Sequence, residues 1–262
     1  MGIKRLFFDI EVSPNIGFFW QPGHKISLGY ENIIKERAII CICYKWAGSD
    51  KVYSLQWDKN QDDKEMLAKF VKVANLSDEM VGHNGDNFDL KWIRTRCLFH
   101  DIDMMPNYTT IDTLKEARKG FRFNSNRLDY ISKFIGLEGK IKTEFNLWKL
   151  ITLNNDKKSL KYMVEYCKND VTELEKVYDR LHKYIKPKTS IAQYRCDCPN
   201  CGSEKTKIQK SRVSAAGVRL KQIQCQDCGK YFTTPEATYN REIALKKKKE
   251  DYMNMKKSLN LD

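Results

Sequence analysis

The sequence predicts an α/β protein: a mixed sheet flanked by helices over the first 185 residues or so, then a small cysteine-rich β module and a basic tail. Three observations carry this. Strand-like runs alternate with segments of helical spacing as far as Ile185, two of the strands are close enough to pair as a hairpin, and five of the nine cysteines fall between Cys196 and Cys228.

Lys4 to Ile10 reads as the first strand. Arg37 to Trp46 and Lys51 to Trp57 are β-rich and separated by the turn-like Ala47-Gly48-Ser49-Asp50, which predicts hairpin pairing. Asp62 to Asn75 has helical spacing, with Asp62 or Asp63 near its start. "EMVGHN" is a short strand ending in a loop. Helices are predicted over Asn87–His100, Asp112–Lys119, Asn126–Ile135 and, as one long element, from Ser159 to about Ile185. "IKPKTS", Ile185 to Ser190, has no apolar period and reads as a linker. The expected domains are therefore 1–187, 194–235, and a basic helix or tail over 240–262.

An apolar fraction of 41% and an aromatic fraction of 11% suit a packed core rather than a disordered chain. No run approaches the roughly 18 apolar residues of a membrane span, and the start, MGIKRLFFDIEVSP, makes a poor signal peptide. The expectation is an intracellular, cytoplasmic protein without a membrane partner. Lys and Arg number 47 against 34 acids, for a net +13; from Lys186 onward the count is 17 against 8. That basic end points to a polyanion, most simply nucleic acid, with a solubilising tail as the plainer reading. The clustered, odd-numbered cysteines favour metal over disulfides.

Four acids ask for an explanation. Asp9 and Glu11 are two apart in a strand and share a face, where two like charges repel. Taken alone, they fit an edge strand with one solvated face equally well. Asp89 follows Asn84 and Phe88 where a strand gives way to a helix, and alone it fits a first-turn acid favoured by the helix dipole. His83 beside them reads as a loop or core histidine. Asp170 is the most telling, because it falls inside the apolar stripe of the long helix, formed by Met163, Val164, Cys167, Val171 and Leu174. Tyr166 lies one turn earlier at the stripe's margin, while Glu165 and Glu175 are expected to project away. An aspartate on a packing face needs a partner, and a divalent cation shared with other carboxylates supplies one.

In this order and spacing, Asp9-Ile10-Glu11, Asn84 with Phe88-Asp89, and Tyr166 with Asp170 resemble the motifs of the DEDD 3′–5′ exonucleases, which have an RNase H-like fold. Tyr166, four residues before Asp170, resembles the tyrosine branch (DEDDy). "TIDTL" and "NRLDYISKFIGL" are similar to segments of family B DNA polymerase exonuclease domains. The resemblance covers about residues 3–185. It implies two Mg²⁺ or Mn²⁺ ions about 4 Å apart, held by Asp9, Glu11, Asp89 and Asp170. It further implies a Tyr166 hydroxyl that positions the attacking water, and a terminal-nucleotide pocket shaped by Asn84 and Phe88. The activity implied is hydrolysis at 3′ ends of single-stranded nucleic acid, DNA ahead of RNA, in repair or replication. The rival expectations are a ribonuclease, a structure-specific endonuclease using the same acids, and a catalytically silent binding module.

Cys198-x₂-Cys201 and Cys225-x₂-Cys228 fit one tetrahedral Zn²⁺ site, and each pair ends in a glycine that helps its turn close. This resembles a zinc ribbon. Cys196 competes with Cys198 as a ligand, and the Cys-Pro-Asn-Cys-Gly knuckle favours Cys198. Lys205, Lys207, Lys210, Arg212, Arg219 and Lys221 between the pairs make a basic hairpin suited to a phosphate backbone. Tyr231 and Phe232 are candidates for stacking on bases, with packing against the ribbon the stronger expectation. The other reading of the module is a metal-stapled knob that docks a replication or repair protein.

Overall fold

The computed structural model describes residues 2–21, 23, 28–137 and 143–258. Its elements run in order β1 (Arg5–Val12), β2 (Ile16–Gly17), β3 (Ile33–Lys35), β4 (Ile39–Trp46), β5 (Val52–Gln56), α1 (Lys64–Ala74), β6 (Glu79–Gly82) and α2 (Asp89–Phe99). They continue with β7 (Thr110–Asp112), α3 (Thr113–Gly120), α4 (Leu128–Phe134), α5 (Phe145–Asn154) and α6 (Lys157–Leu181). Last come β8 (Thr206–Val213), β9 (Arg219–Cys225), β10 (Tyr231–Pro235) and α7 (Glu236–Ser258). The chain divides into two compact units, Lys4–Tyr178 and the part from Asp179 onward joined by the first residues. The 259–262 end of the expected basic tail lies outside the described residues.

In the first unit the sheet order is β5-β4-β1-β6-β7. β1 pairs antiparallel with β4 and parallel with β6, so the sheet is mixed, as expected for an RNase H-like fold. β1 is its middle strand, which removes the edge-strand explanation for Asp9 and Glu11. One face of β1 carries Leu6, Phe8 and Ile10 into a core with Met66, Leu67 and Phe70 of α1 and Leu90 and Ile93 of α2. The other face carries Phe7, Asp9 and Glu11, and Phe7 meets Tyr178 of α6 edge to face at 5.4 Å. The alternation of the strand thus sends Leu6, Phe8 and Ile10 one way and the two acids, with Phe7, the other.

The predicted hairpin forms, with Cys43 opposite Ser54 and Tyr44 stacked on Tyr53. Asp63 stands at the start of α1 but makes no side-chain cap. It is fully buried, accepting from the Ile39 N–H at 2.8 Å, from Arg96 Nε and Nη2 at 2.8 Å each, and from His100 Nε2 at 2.6 Å. Glu175 does not project away, because its side chain is 12% exposed and paired with Lys45. α5, like β2, β3 and β7, has no counterpart among the elements the sequence predicts.

The second unit has a three-stranded antiparallel sheet in the order β10-β9-β8, with α7 against β9 and β10. Its small core gathers Cys198, Ile223, Cys225 and Phe232, with Tyr239 of α7 against them. Among the described residues no helix is long and apolar enough to cross a membrane.

Candidate active site

The acid-bearing face of β1 is covered by α6. Register places Asp9 opposite Cys43 and Glu11 opposite Cys41, so two thiols share the face with two carboxylates. Cys167 of α6 packs between them, its thiol 3.5 Å from both the carbonyl and Oδ2 of Asp9. Cys43 in turn reaches the Val164 carbonyl at 3.7 Å. The three sulfurs form a buried layer beneath the acids, where small apolar side chains let the helix lie close to the strands.

That seating places Asp170, one turn beyond Tyr166, over β1. Carboxylate oxygens of Asp9, Glu11 and Asp170 all lie within 4.8 Å of one another. Asp89 is buried at the start of α2, where its Oδ1 accepts the Ile10 N–H at 3.1 Å. Its charge reaches both Asp9 and Glu11. Burial first, and then mutual repulsion, raises these carboxyls: Asp9 goes well above the usual range and Glu11 up to about 8. Asp89 is pushed up to about 7 by burial, against the backbone donors that lower it. Burial, then the charge of Asp170 and a hydrogen bond to it, raise the Tyr166 phenol above its usual 10.

Acids held this close, three of them half-buried and Asp89 buried, are unfavourable as anions without a cation between them. Their donor set is all oxygen, the set a hard divalent cation takes. The acidic cluster therefore fits a metal ion.

Asp9, Tyr166 and Asp170 line a cleft of about 610 Å³, large enough for a small organic ligand. The segment from Asn124 to Asp129 also lines it, together with Arg118. None of these is a candidate site residue from sequence: residues 124–127 form a loop of mixed polarity without periodic signal, and Arg118, Leu128 and Asp129 sit on the short helices α3 and α4 among ordinary surface residues. Asn84 and Phe88 are not among the cleft-lining residues. Asn84 takes a left-handed turn (φ 67°), its N–H donating to Asp112 at 3.0 Å. Phe88 packs on the core. His83 lines the cleft, but both ring nitrogens are taken, by Thr113 Oγ1 and the Asn126 carbonyl at 2.9 Å each.

In the second unit, Cys198 and Cys228 bring their sulfurs to 3.6 Å, as do Cys201 and Cys225. All four lie within 4.8 Å of one another. Gly202 (φ 71°) and Gly229 (φ 72°) close the two knuckles in the left-handed region open to glycine. Cys196 stays apart, its thiol 3.6 Å from Asp197 Oδ1. The four-cysteine group fits a metal ion, and Cys198 rather than Cys196 belongs to it.

The sequence model of the RNase H superfamily matches residues 32–182, more than half of the chain. The chain belongs to the RNase H superfamily. Among solved structures, this RNase H superfamily chain is similar to the family B DNA polymerase of the archaeon Pyrobaculum calidifontis. The TM-score is 0.54 and the identity 16%, over 70% of this chain and 25% of that one, a likeness of fold. It is also 29% identical to a DNA polymerase of Thermococcus kodakarensis over 97 residues, 36% of this chain and 5% of the polymerase. A third likeness, 52% identity over 40 residues, is to the transcriptional repressor NrdR of Nitrosomonas eutropha, covering 15% of this chain and 25% of the repressor. The chain thus spans only a small part of each of these relatives.

Proposed function

We propose that the protein is a metal-dependent 3′–5′ exonuclease of the tyrosine branch of the DEDD group, acting on single-stranded ends, DNA ahead of RNA. The observation that carries this is the meeting of Asp9, Glu11 and Asp170, with Asp89 buried beside them, at a cleft that Asp9, Tyr166 and Asp170 line. Superfamily membership and the polymerase likeness support a nuclease.

Asp9, Glu11, Asp89 and Asp170 hold two Mg²⁺ or Mn²⁺ ions. Bound there, the ions supply charge neutralisation for the phosphate and a lowered pKa for the attacking water. The four carboxylates fix the geometry, Asp89 being anchored to the β1 backbone through Ile10. Tyr166 stays protonated at neutral pH, so its hydroxyl orients the water and does not accept the proton. Arg118 and Arg127 place positive charge in the same cleft, toward the backbone of the bound strand. Cys198, Cys201, Cys225 and Cys228 hold one structural Zn²⁺ in a ribbon, giving a unit with only a small core a second source of stability.

The test is a panel of single-stranded and duplex DNA and RNA, labelled separately at each end, with Mg²⁺ or Mn²⁺. Stepwise loss from the 3′ end of single strands is expected. Internal fragments alone would replace this reading with an endonuclease, and cutting of RNA alone with a ribonuclease.

A further inference from the structure

In the second unit, Tyr231, Thr233 and Pro235 of β10 lie opposite Gln224, Gln222 and Leu220 of β9, which lie opposite Lys207, Lys210 and Arg212 of β8. Residues opposite one another share a sheet face. The alternate residues, Phe232 and Ile223, are the buried ones, so this face is the open one. Segment 183–190 runs beside it and encloses a groove of about 1010 Å³.

The groove carries Lys183, Lys186, Arg195 and Arg212, and among the described residues none of these four forms a salt bridge. Among the described residues that line it, the one acid, Asp197, is already paired with Lys246. Two aromatic rings stand out into solvent within it, Tyr184 at 72% exposure and Tyr231 at 41%. Solvated lysines in a linker would be unremarkable if the segment were loose, but both rims are pinned. Lys230, 2% exposed, donates to the carbonyls of His182 and Ile185. Thr234 Oγ1 donates to the Arg195 carbonyl at 2.8 Å, and the Ile191 N–H to Pro199 at 3.1 Å.

We propose that this groove is a binding track for single-stranded nucleic acid. Four unmatched cations suit a phosphate backbone, and exposed rings suit the faces of unpaired bases, which an acidic peptide lacks and a duplex hides. Pinned rims spare the binding event the cost of ordering the segment. The inference stands apart from the hydrolytic reading, because it concerns binding alone.

The test measures anisotropy of a 5′-fluorescent oligothymidylate with the full chain carrying Asp170→Asn in every arm, so that nothing is cut. Lys186→Glu with Arg195→Glu should weaken binding at least tenfold and flatten the log–log salt slope by about 1.4, two phosphate contacts at about 0.7 each. Tyr231→Ala should weaken it between about 5-fold and 150-fold, with the slope unchanged. Lys247→Glu with Lys248→Glu, the same charge change on an exposed turn of α7, should alter it less than threefold. If the groove double reduces thermal stability, Lys183→Gln with Arg212→Gln takes its place, with the slope as readout. Equal losses in the groove and helix doubles, or none in the groove double, would overturn the proposal. Unaltered binding with Tyr231→Ala, or equal affinity for duplex DNA, would overturn the assignment to single strands. Neither result bears on whether the wild-type chain cuts.

Discussion

The backbone N–H of Ile10 donates to Oδ1 of Asp89 at 3.1 Å, joining residues 79 positions apart. This bond ties the first turn of α2 to the strand that carries Asp9 and Glu11. Asp89→Asn keeps an acceptor for Ile10 and removes the charge, so it should leave thermal stability intact while lowering metal-dependent cutting at least about 100-fold. Asp89→Ala should lose the same activity and also about 1–3 kcal/mol of stability, because the Ile10 N–H is left buried without a partner. Thermal unfolding with an activity assay separates the two.

The raised carboxyls make stability depend on pH. Glu11, near 4.3 unfolded, sits at about 8 when folded, and Asp89, near 3.9 unfolded, at about 7, chiefly through burial. Groups with folded values above their unfolded ones bind more protons in the folded state, so metal-free stability should fall as pH rises from about 4 to about 8. A divalent cation needs the deprotonated acids, so saturating Mn²⁺ should raise the melting temperature more at pH 8.5 than at pH 6. Equal stabilisation at both pH values would contradict the assignment of these acids as ligands.

Tyr166→Phe removes a hydroxyl bonded to Asp170 without removing a ligand. Cutting should slow about 10²–10³-fold, and Mn²⁺ affinity measured by calorimetry should stay within about twofold. A parallel loss of metal affinity would place Tyr166 in the metal site itself.

Asp63, buried between Arg96, His100 and the Ile39 N–H, clasps β4 to α1 and α2. Burial alone would raise its carboxyl, but these donors hold it below the usual range. Its contribution is present above about pH 3.9, the unfolded value, and is lost as pH falls through the folded one. Asp63→Ala leaves Arg96 buried and unpaired, and denaturant unfolding should show a loss of about 3–5 kcal/mol.

Cys225→Ser should abolish the tightly held zinc expected at one ion per chain, while Cys196→Ser should retain it. Elemental analysis after gel filtration reads both outcomes. No zinc in the wild-type protein would remove the ribbon assignment.

The long helix could be read from the sequence because Asp170 interrupts a 3.6-residue apolar stripe, and an acid there has few explanations. Asp9 and Glu11 were ambiguous for a non-local reason. Whether β1 is an edge or a middle strand depends on β6, some seventy residues away. The thiol layer was hidden likewise, since Cys41 and Cys43 meet Cys167 only once β4 is paired and α6 seated. α5 escaped because Phe145, Leu147, Trp148, Leu150, Ile151 and Leu153 make no single stripe, and Phe145 and Leu153 are exposed. Glu175 looked like a surface charge because its partner, Lys45, is on a distant strand.

The most direct test of the central claim is electrophoresis of a 5′-labelled single-stranded DNA incubated with the purified protein and Mn²⁺, beside Asp9→Asn and Asp170→Asn. The account predicts a ladder shortening one nucleotide at a time from the 3′ end, absent with either variant and without metal. Intact substrate with the wild-type protein, for DNA and RNA alike and with Mg²⁺ as well as Mn²⁺, would contradict it.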